Sequence, residues 1–252
     1  MGIRCKVINF ASKRLMNIII IGATSGIGKA LFENYAMEGN RLGIVGRRSH
    51  LLDELRRQYP NNTVAVTADV TKQAEIERAI QSLHAELGGF DVSIVSSGTG
   101  DINPSLDYHV ELPTLETNVT GWTFVVDTLY NIFEQQGCGH LVAITSIGGL
   151  RGEAMAPAYS ATKAYQINYM EALRKKAFKL GGNITITDVR PGLVDTAMAK
   201  GDGLFWVMPV GKVVCQMCAA IRRKKSKVYV TKRWHILAVI TKNLPFALFK
   251  RL

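Results

Sequence analysis

Acid is missing from the last fifth of this 252-residue chain: all 20 Asp and Glu lie at or before Asp202. Residues 203–252 nevertheless hold 11 of the 31 Lys and Arg, so the formal charge of +11 belongs wholly to that stretch. The 202 residues before it balance 20 basic against 20 acidic side chains. Cysteine is scarce, with 4 residues at positions 5, 138, 215 and 218. So few thiols do not make a disulfide scaffold, and the expectation is a reducing compartment. No apolar run reaches the roughly 18–20 residues of a membrane-spanning helix. Met1–Arg14 has neither the continuous apolar stretch nor the small-residue cleavage site of a secretory signal. Residues 1–15 therefore read as an N-terminal extension and the chain as cytoplasmic. With only 7 Pro and 47% hydrophobic residues, collagen-like, mucin-like and largely disordered classes are excluded.

What is present is a regular alternation. Asn17–Ile21, Leu42–Val45, Thr63–Thr67, Asp91–Ser96, His140–Ser146 and Ile184–Val189 read as short strands rich in Ile and Val. Helical patterns fall between them at Gly26–Met37, Ser49–Tyr59, Lys72–Leu87, Leu112–Gln135 and Pro157–Leu180. Near-continuous apolar strands separated by helices predict an α/β fold: a Rossmann-type, doubly wound parallel sheet. No repeat, linker or low-complexity tract interrupts it, so one domain is expected over residues 16–231. Residues 232–252 form a basic tail.

The first strand runs into Gly22-Ala-Thr24-Ser25-Gly26-Ile27-Gly28 and then a helix. Gly22 permits a tight turn, Gly26 lets the backbone approach a pyrophosphate, and Gly28 lets helix pack on strand. The helix start adds N–H groups and a positive dipole end for the anion. Thr24, Ser25 and Ile27 complete this candidate cofactor loop. The second strand ends in Arg47-Arg48, and no acid occurs between Glu38 and Asp53. An NAD site would carry Asp or Glu there. Two guanidinium groups suit a ribose 2′-phosphate instead, so NADP(H) is expected. Tyr159 and Lys163 are spaced i and i+4, on one face of a helix. A phenol whose pKa is lowered by a neighbouring ammonium is a competent acid–base near neutrality.

In its Gly-x3-Gly-x-Gly spacing and Tyr-x3-Lys pair the chain resembles the short-chain dehydrogenase/reductase superfamily. Thr145-Ser146, Asn118-Val-Thr-Gly121 and Pro191-Gly192-Leu-Val194-Asp-Thr196 extend the match over residues 17–196. Two positions depart from the pattern. Ile21 replaces the usual opening Thr, and Val95-Ser96-Ser97-Gly98 stands where Asn-Asn-Ala-Gly is usual. The Ser pair keeps hydrogen-bonding capacity at that strand end. The resemblance implies a catalytic set of Asn118, Ser146, Tyr159 and Lys163, with Ser146 holding the substrate oxygen. Asn118 would support a water that links Lys163 to solvent. It also implies that Asp69 and Val70 meet the adenine, that Ser96 and Gly98 line the cofactor, and that Val194 and Thr196 grip the nicotinamide carboxamide. Tyr159 and Lys163 would touch the cofactor as well. The implied reaction is hydride transfer between NADP(H) and a carbonyl or alcohol, in an enzyme that commonly forms homo-oligomers.

After Thr196, Gly201 and Gly203 offer hinges for a lid, and Met198, Leu204, Phe205, Trp206 and Met208 offer an apolar wall. This favours a hydrophobic or lipid-linked substrate, although the same residues could simply cover the core. In the tail, aromatic and aliphatic residues mix with Lys and Arg, a pattern that suits a membrane surface. A helix packed on the core or on a partner subunit is the other reading. Nucleic acid is disfavoured because no stacking platform accompanies the charge. An alternative to turnover is an NADP-binding sensor at a membrane surface. The pair Cys215-x-x-Cys218 lies in an apolar helical pattern and the histidines form no ligand set, so core packing and no metal are expected.

Overall fold

The computed structural model describes residues 14–199 and 205–251. Seven strands form one parallel sheet: β1 (Asn17–Ile21), β2 (Arg41–Gly46), β3 (Thr63–Thr67), β4 (Val92–Val95), β5 (Gly139–Ile144), β6 (Ile184–Pro191) and β7 (Lys227–Val230). Their order across the sheet is β3-β2-β1-β4-β5-β6-β7. The chain runs outward from β1 in one direction, then returns to β4 and continues in the other. At that reversal the loops after β1 and β4 diverge and leave a crevice at the carboxyl ends of the strands.

Strand β1 explains why both faces need cover. Alternate side chains of a strand point to opposite faces. Ile18 and Ile20 enter the core beneath α1 (Gly26–Met37), α2 (Ser49–Gln58) and α7 (Val210–Arg222). Ile19 and Ile21 enter the core beneath α3 (Gln73–Leu87), α5 (Trp122–Gln136) and α6 (Pro157–Lys179). All four are fully buried, so a polar residue at any of them would lose its water without gaining a partner.

One expected helix is three elements. The pattern Leu112–Gln135 resolves into α4 (Tyr108–Leu115), a π-helical turn (Glu116–Gly121) and α5. Apolar periodicity runs through all three, so the register change in the middle leaves no mark on the pattern. A π turn inserts one residue and frees a carbonyl from the α-helical ladder. Asn118 lies within it.

The C-terminal stretch is ordered into β7, α8 (Lys232–Asn243) and α9 (Phe246–Phe249). Trp234 and Ala238, one turn apart on α8, are buried, while Ile236, Val239, Ile240, Phe246 and Leu248 stay exposed. One face of α8 therefore packs on the core, and the other is open. Cys218 is buried in the core, as expected. Cys215 is disulfide-bonded, which the low cysteine count did not suggest.

Candidate active site

The glycine loop has the close approaches that its sequence demands. Gly22 has φ +89°, and a Cβ there would lie 2.6 Å from the Ser97 backbone nitrogen. A Cβ on Gly28 would fall on the Gly22 carbonyl. Gly26, with φ +53°, faces the Thr196 methyl, which a Cβ would meet at 3.3 Å. Thr196 donates its hydroxyl to the Val194 carbonyl at 3.3 Å, and buried Val194 is bridged to Met208. The two sides of the crevice are thus the glycine loop and the segment after β6. A backbone held open this way is a cradle for an anion, because any side chain would fill it.

Arg48 folds back over this loop. Its guanidinium donates to Thr24 Oγ1 at 2.7 Å and to Ser25 Oγ at 2.8 Å. Arg47 is exposed and 3.8 Å from Asp69 Oδ2, so the expected pair of cations stands at the end of β2, one anchored and one loosely tethered. Asp69 also accepts from the Thr71 N–H and hydroxyl, each at 3.0 Å. Val70 is buried beside Gly121, where a Cβ would come 2.6 Å from the Val70 carbonyl. Ile27 packs partly buried against the core. At the end of β4, the Ser96 N–H donates to the Ile21 carbonyl at 2.8 Å and its Oγ reaches to 3.0 Å of the Gly28 Cβ direction. The Ser97 hydroxyl is buried with no hydrogen-bond partner among the described residues. The Ser pair therefore does not simply replace two amides.

Ser146, Tyr159, Lys163 and Asn118 converge at the same edge. Ser146 caps the 3₁₀ turn Ile147–Gly149, accepting from the Gly148 N–H at 3.0 Å, and it lies close enough to the Tyr159 phenol to lower its pKa. Gly100 leaves room for the Tyr159 ring, into which a Cβ would project. Gly98 does the same for Asn118 Oδ1 and Lys163 Nζ, which a Cβ would meet at 3.3 and 3.4 Å. Lys163 is 4% exposed and donates to the Ile144 carbonyl at 3.2 Å and to Gln166 Oε1 at 3.0 Å. Asn118 exchanges two hydrogen bonds with the Thr99 backbone and donates to Thr162 Oγ1 at 3.1 Å.

Burial dominates the electrostatics of this cluster. Burial pushes the Tyr159 phenol up from its ordinary value, with only the Ser146 hydrogen bond opposing. Lys163 Nζ is 5.8 Å from the Tyr159 ring centroid and turned toward Ile144 and Gln166. Tyr159 is thus a neutral phenol near pH 7, the state that can give a proton. Burial brings Lys163 down to about 8, against the attraction of Asp188. Asp188 is fully buried, 2.6 Å from Arg190 Nη2, and accepts from Thr145 Oγ1 at 2.6 Å. Gln166, Asp188 and Arg190 carry no motif and were not among the expected residues.

With a loop shaped for phosphates, paired cations and a Ser–Tyr–Lys cluster around one crevice, the comparisons have a clear bearing. Residues 16–203 match the short chain dehydrogenase family model. The chain belongs to that family. Within it, an uncharacterised oxidoreductase of Mycobacterium tuberculosis is 31% identical over 222 residues, covering 84% of this chain and 87% of that protein. A short chain dehydrogenase from Burkholderia cenocepacia, solved with NADP, superposes with a TM-score of 0.82 at 20% identity, over 95% of this chain and 98% of that one. A bulky-bulky ketone specific alcohol dehydrogenase from Comamonas testosteroni gives a TM-score of 0.74 at 24% identity, over 95% and 96%. As a member of the short chain dehydrogenases, the chain is an oxidoreductase that acts on a small-molecule substrate.

Past the end of β6 lies an aromatic group. Phe205 and Trp206 stand 5.4 and 6.1 Å from Trp234, centroid to centroid, and Trp234 Nε1 donates to the Trp206 carbonyl at 3.3 Å. A Cβ on Gly192 would run into the Trp234 ring. Met198 is exposed and Met208 packs against the core; Gly201, Gly203 and Leu204 lie outside the described residues. Arg151, just past the Ser146 turn, donates to the Lys242 and Leu244 carbonyls at 3.3 and 3.1 Å and lies 4.4 Å from the Phe249 ring centroid. Sequence reading missed this clasp. Among the described residues no cluster of His, Cys, Asp or Glu could hold a metal, and no helix is long and apolar enough to cross a membrane.

Proposed function

We propose that the chain reduces the carbonyl of a bulky, lipophilic or lipid-linked substrate with NADPH, or runs the reverse oxidation. The observation that carries this reading is the convergence of Ser146, Tyr159 and Lys163 on a crevice whose other wall is the glycine loop under Arg48. The cradle suits the cofactor: its glycines leave space for a pyrophosphate, and Arg47 and Arg48 offer charge for a 2′-phosphate. Bound NADPH supplies the hydride. Ser146 Oγ orients the substrate oxygen beside Tyr159, and the Tyr159 hydroxyl delivers its proton to that oxygen as the carbon accepts the hydride. Lys163 holds positive charge near the phenolate that results, and Asn118 braces its helix through Thr99 and Thr162. Val194 and Thr196 border the nicotinamide end, Asp69 and Val70 the adenosine side, and Ser96 and Gly98 line the cofactor between them, Gly98 beside Asn118 and Lys163.

Fluorescence titration with NADPH and NADH tests the cofactor reading. NADPH should bind at least tenfold tighter, and Arg47→Ala and Arg48→Ala should erase most of that preference. Equal affinities would overturn it. Tyr159→Phe should abolish reduction of bulky ketones while sparing NADPH binding. A chain that binds NADPH yet reduces no carbonyl before or after that change is instead a cofactor-gated sensor.

Support for a lipophilic substrate comes from the Phe205, Trp206 and Trp234 group and from the exposed apolar face of α8 and α9. Arg233, Lys250 and Arg251 are also exposed near that face, so anionic headgroups and acyl chains match it together. Arg151 ties this surface to the loop that carries Ser146. Flotation with phosphatidylglycerol vesicles should recover the protein, and phosphatidylcholine vesicles should not. Loss of the contact in Ile236→Ser/Ile240→Ser is expected. Retention by both lipids, or by neither, would overturn it. A second copy on the same face would instead appear as a dimer that the double substitution dissociates.

A further inference from the structure

Gln166 stands one helical turn beyond Lys163 and is fully buried. Its Nε2 donates to the Asn118 carbonyl at 2.8 Å, and its Oε1 accepts from Lys163 Nζ at 3.0 Å. The two partners fix which way the amide points, since a carbonyl only accepts and an ammonium only donates. Asn118 lies within the π turn, and its carbonyl accepts the Gln166 bond. The Asn118 side chain is committed to Thr99 and Thr162. Asn118 therefore reaches Lys163 through its main chain and Gln166. A bridging water was the expectation for this gap, and a side-chain amide spans it.

We propose that Gln166 is a positioning residue that substitutes for the bridging water, tying Lys163 to the Asn118 backbone and closing that route to proton transfer. A water can turn and pass a proton along; an amide neither gains nor loses one in the neutral range. The proton that leaves the Tyr159 hydroxyl for the product oxygen is then replaced from solvent at the crevice mouth. Other groups facing Lys163 are Tyr159 on its own helix, the Asp188–Arg190 pair on β6 and the Ile144 carbonyl on β5. None is altered by a change at Gln166. An acceptor on an ammonium favours the charged form, so removing it should make Lys163 easier to deprotonate.

The role within catalysis rests on the reductase reading, but the test begins with ligand-free protein. The ¹⁵Nζ signal absent from Lys163→Met identifies Lys163 in the ¹⁵N-lysine-labelled full chain, and its midpoint is followed with pH. Relative to the parent, the midpoint should fall by about one unit in Gln166→Leu and rise by about one unit in Gln166→Glu. Coincident midpoints in all three proteins would overturn the link, and if Gln166→Leu does not fold the Glu variant decides alone. In turnover, the alkaline limb of kcat should move with these midpoints while KM for NADPH stays within about threefold. Gln166→Ala, which leaves room for a water, should recover kcat severalfold over Gln166→Leu. Equal rates would overturn the closed route. Should the parent reduce no carbonyl, the proposed function fails and the titration still decides the Lys163–Gln166 link.

Discussion

The glycine loop and the C-terminal helices are built under opposite constraints. At Gly22 and Gly28 there is no room for one additional carbon, because backbone from another strand or turn occupies the space. On α8 and α9 large apolar side chains stand open to solvent, in a stretch with 11 basic residues and no acid. Where the backbone must approach a ligand, single atoms are constrained. Where side chains stand in solvent no single atom is constrained, and only the anchored side of the helix is exacting.

The largest expected effect breaks the first of these regions. Gly28→Ala drives a methyl into the Gly22 carbonyl, and we expect at least 100-fold weaker NADPH binding and a loss of about 4 kcal/mol in urea unfolding. An unchanged affinity would mean that the loop yields at no cost. Next is the anchored side of α8. Trp234→Ala empties a buried site over Gly192 and should cost about 3 kcal/mol, with α8 becoming protease-sensitive. A smaller effect probes the sheet away from both regions. His140 is buried against Thr187 Oγ1 at 2.7 Å, and burial lowers its pKa to about 4. Between pH 6.5 and about 4 the unfolded chain takes up a proton that the folded one refuses, so stability is full above pH 6.5 and falls toward pH 4. Denaturant midpoints should reveal a loss of about 2 kcal/mol across that window, flattened in His140→Gln. Smallest is Ile236→Ser/Ile240→Ser, which should leave stability within about 0.5 kcal/mol because both side chains are already solvated.

Strand positions were legible because a two-faced core demands runs such as Asn17–Ile21, and no other use of four successive isoleucines is as economical in water. The glycine, Tyr–Lys and Pro-Gly motifs were legible for a similar reason, since each residue type there answers a local geometric demand. The π turn at Asn118 was not, because inserting one residue into a helix preserves its apolar pattern. Gln166 was invisible too: a Gln three residues after a Lys on a helix is ordinary, and only the approach of the Asn118 carbonyl gives it two partners. The Arg151 clasp joins residues 91 and more positions apart, beyond any local pattern.

By itself the sequence determined the parallel sheet, the phosphate-shaped loop and the positive, amphipathic end, because these follow from side-chain period, missing Cβ atoms and charge count. Tertiary structure alone decided which face of α8 is buried, that burial pushes the Tyr159 phenol up, and that Lys163 is held through an amide. Those outcomes depend on desolvation and on partners from distant strands, and neither exists until the chain has closed around them.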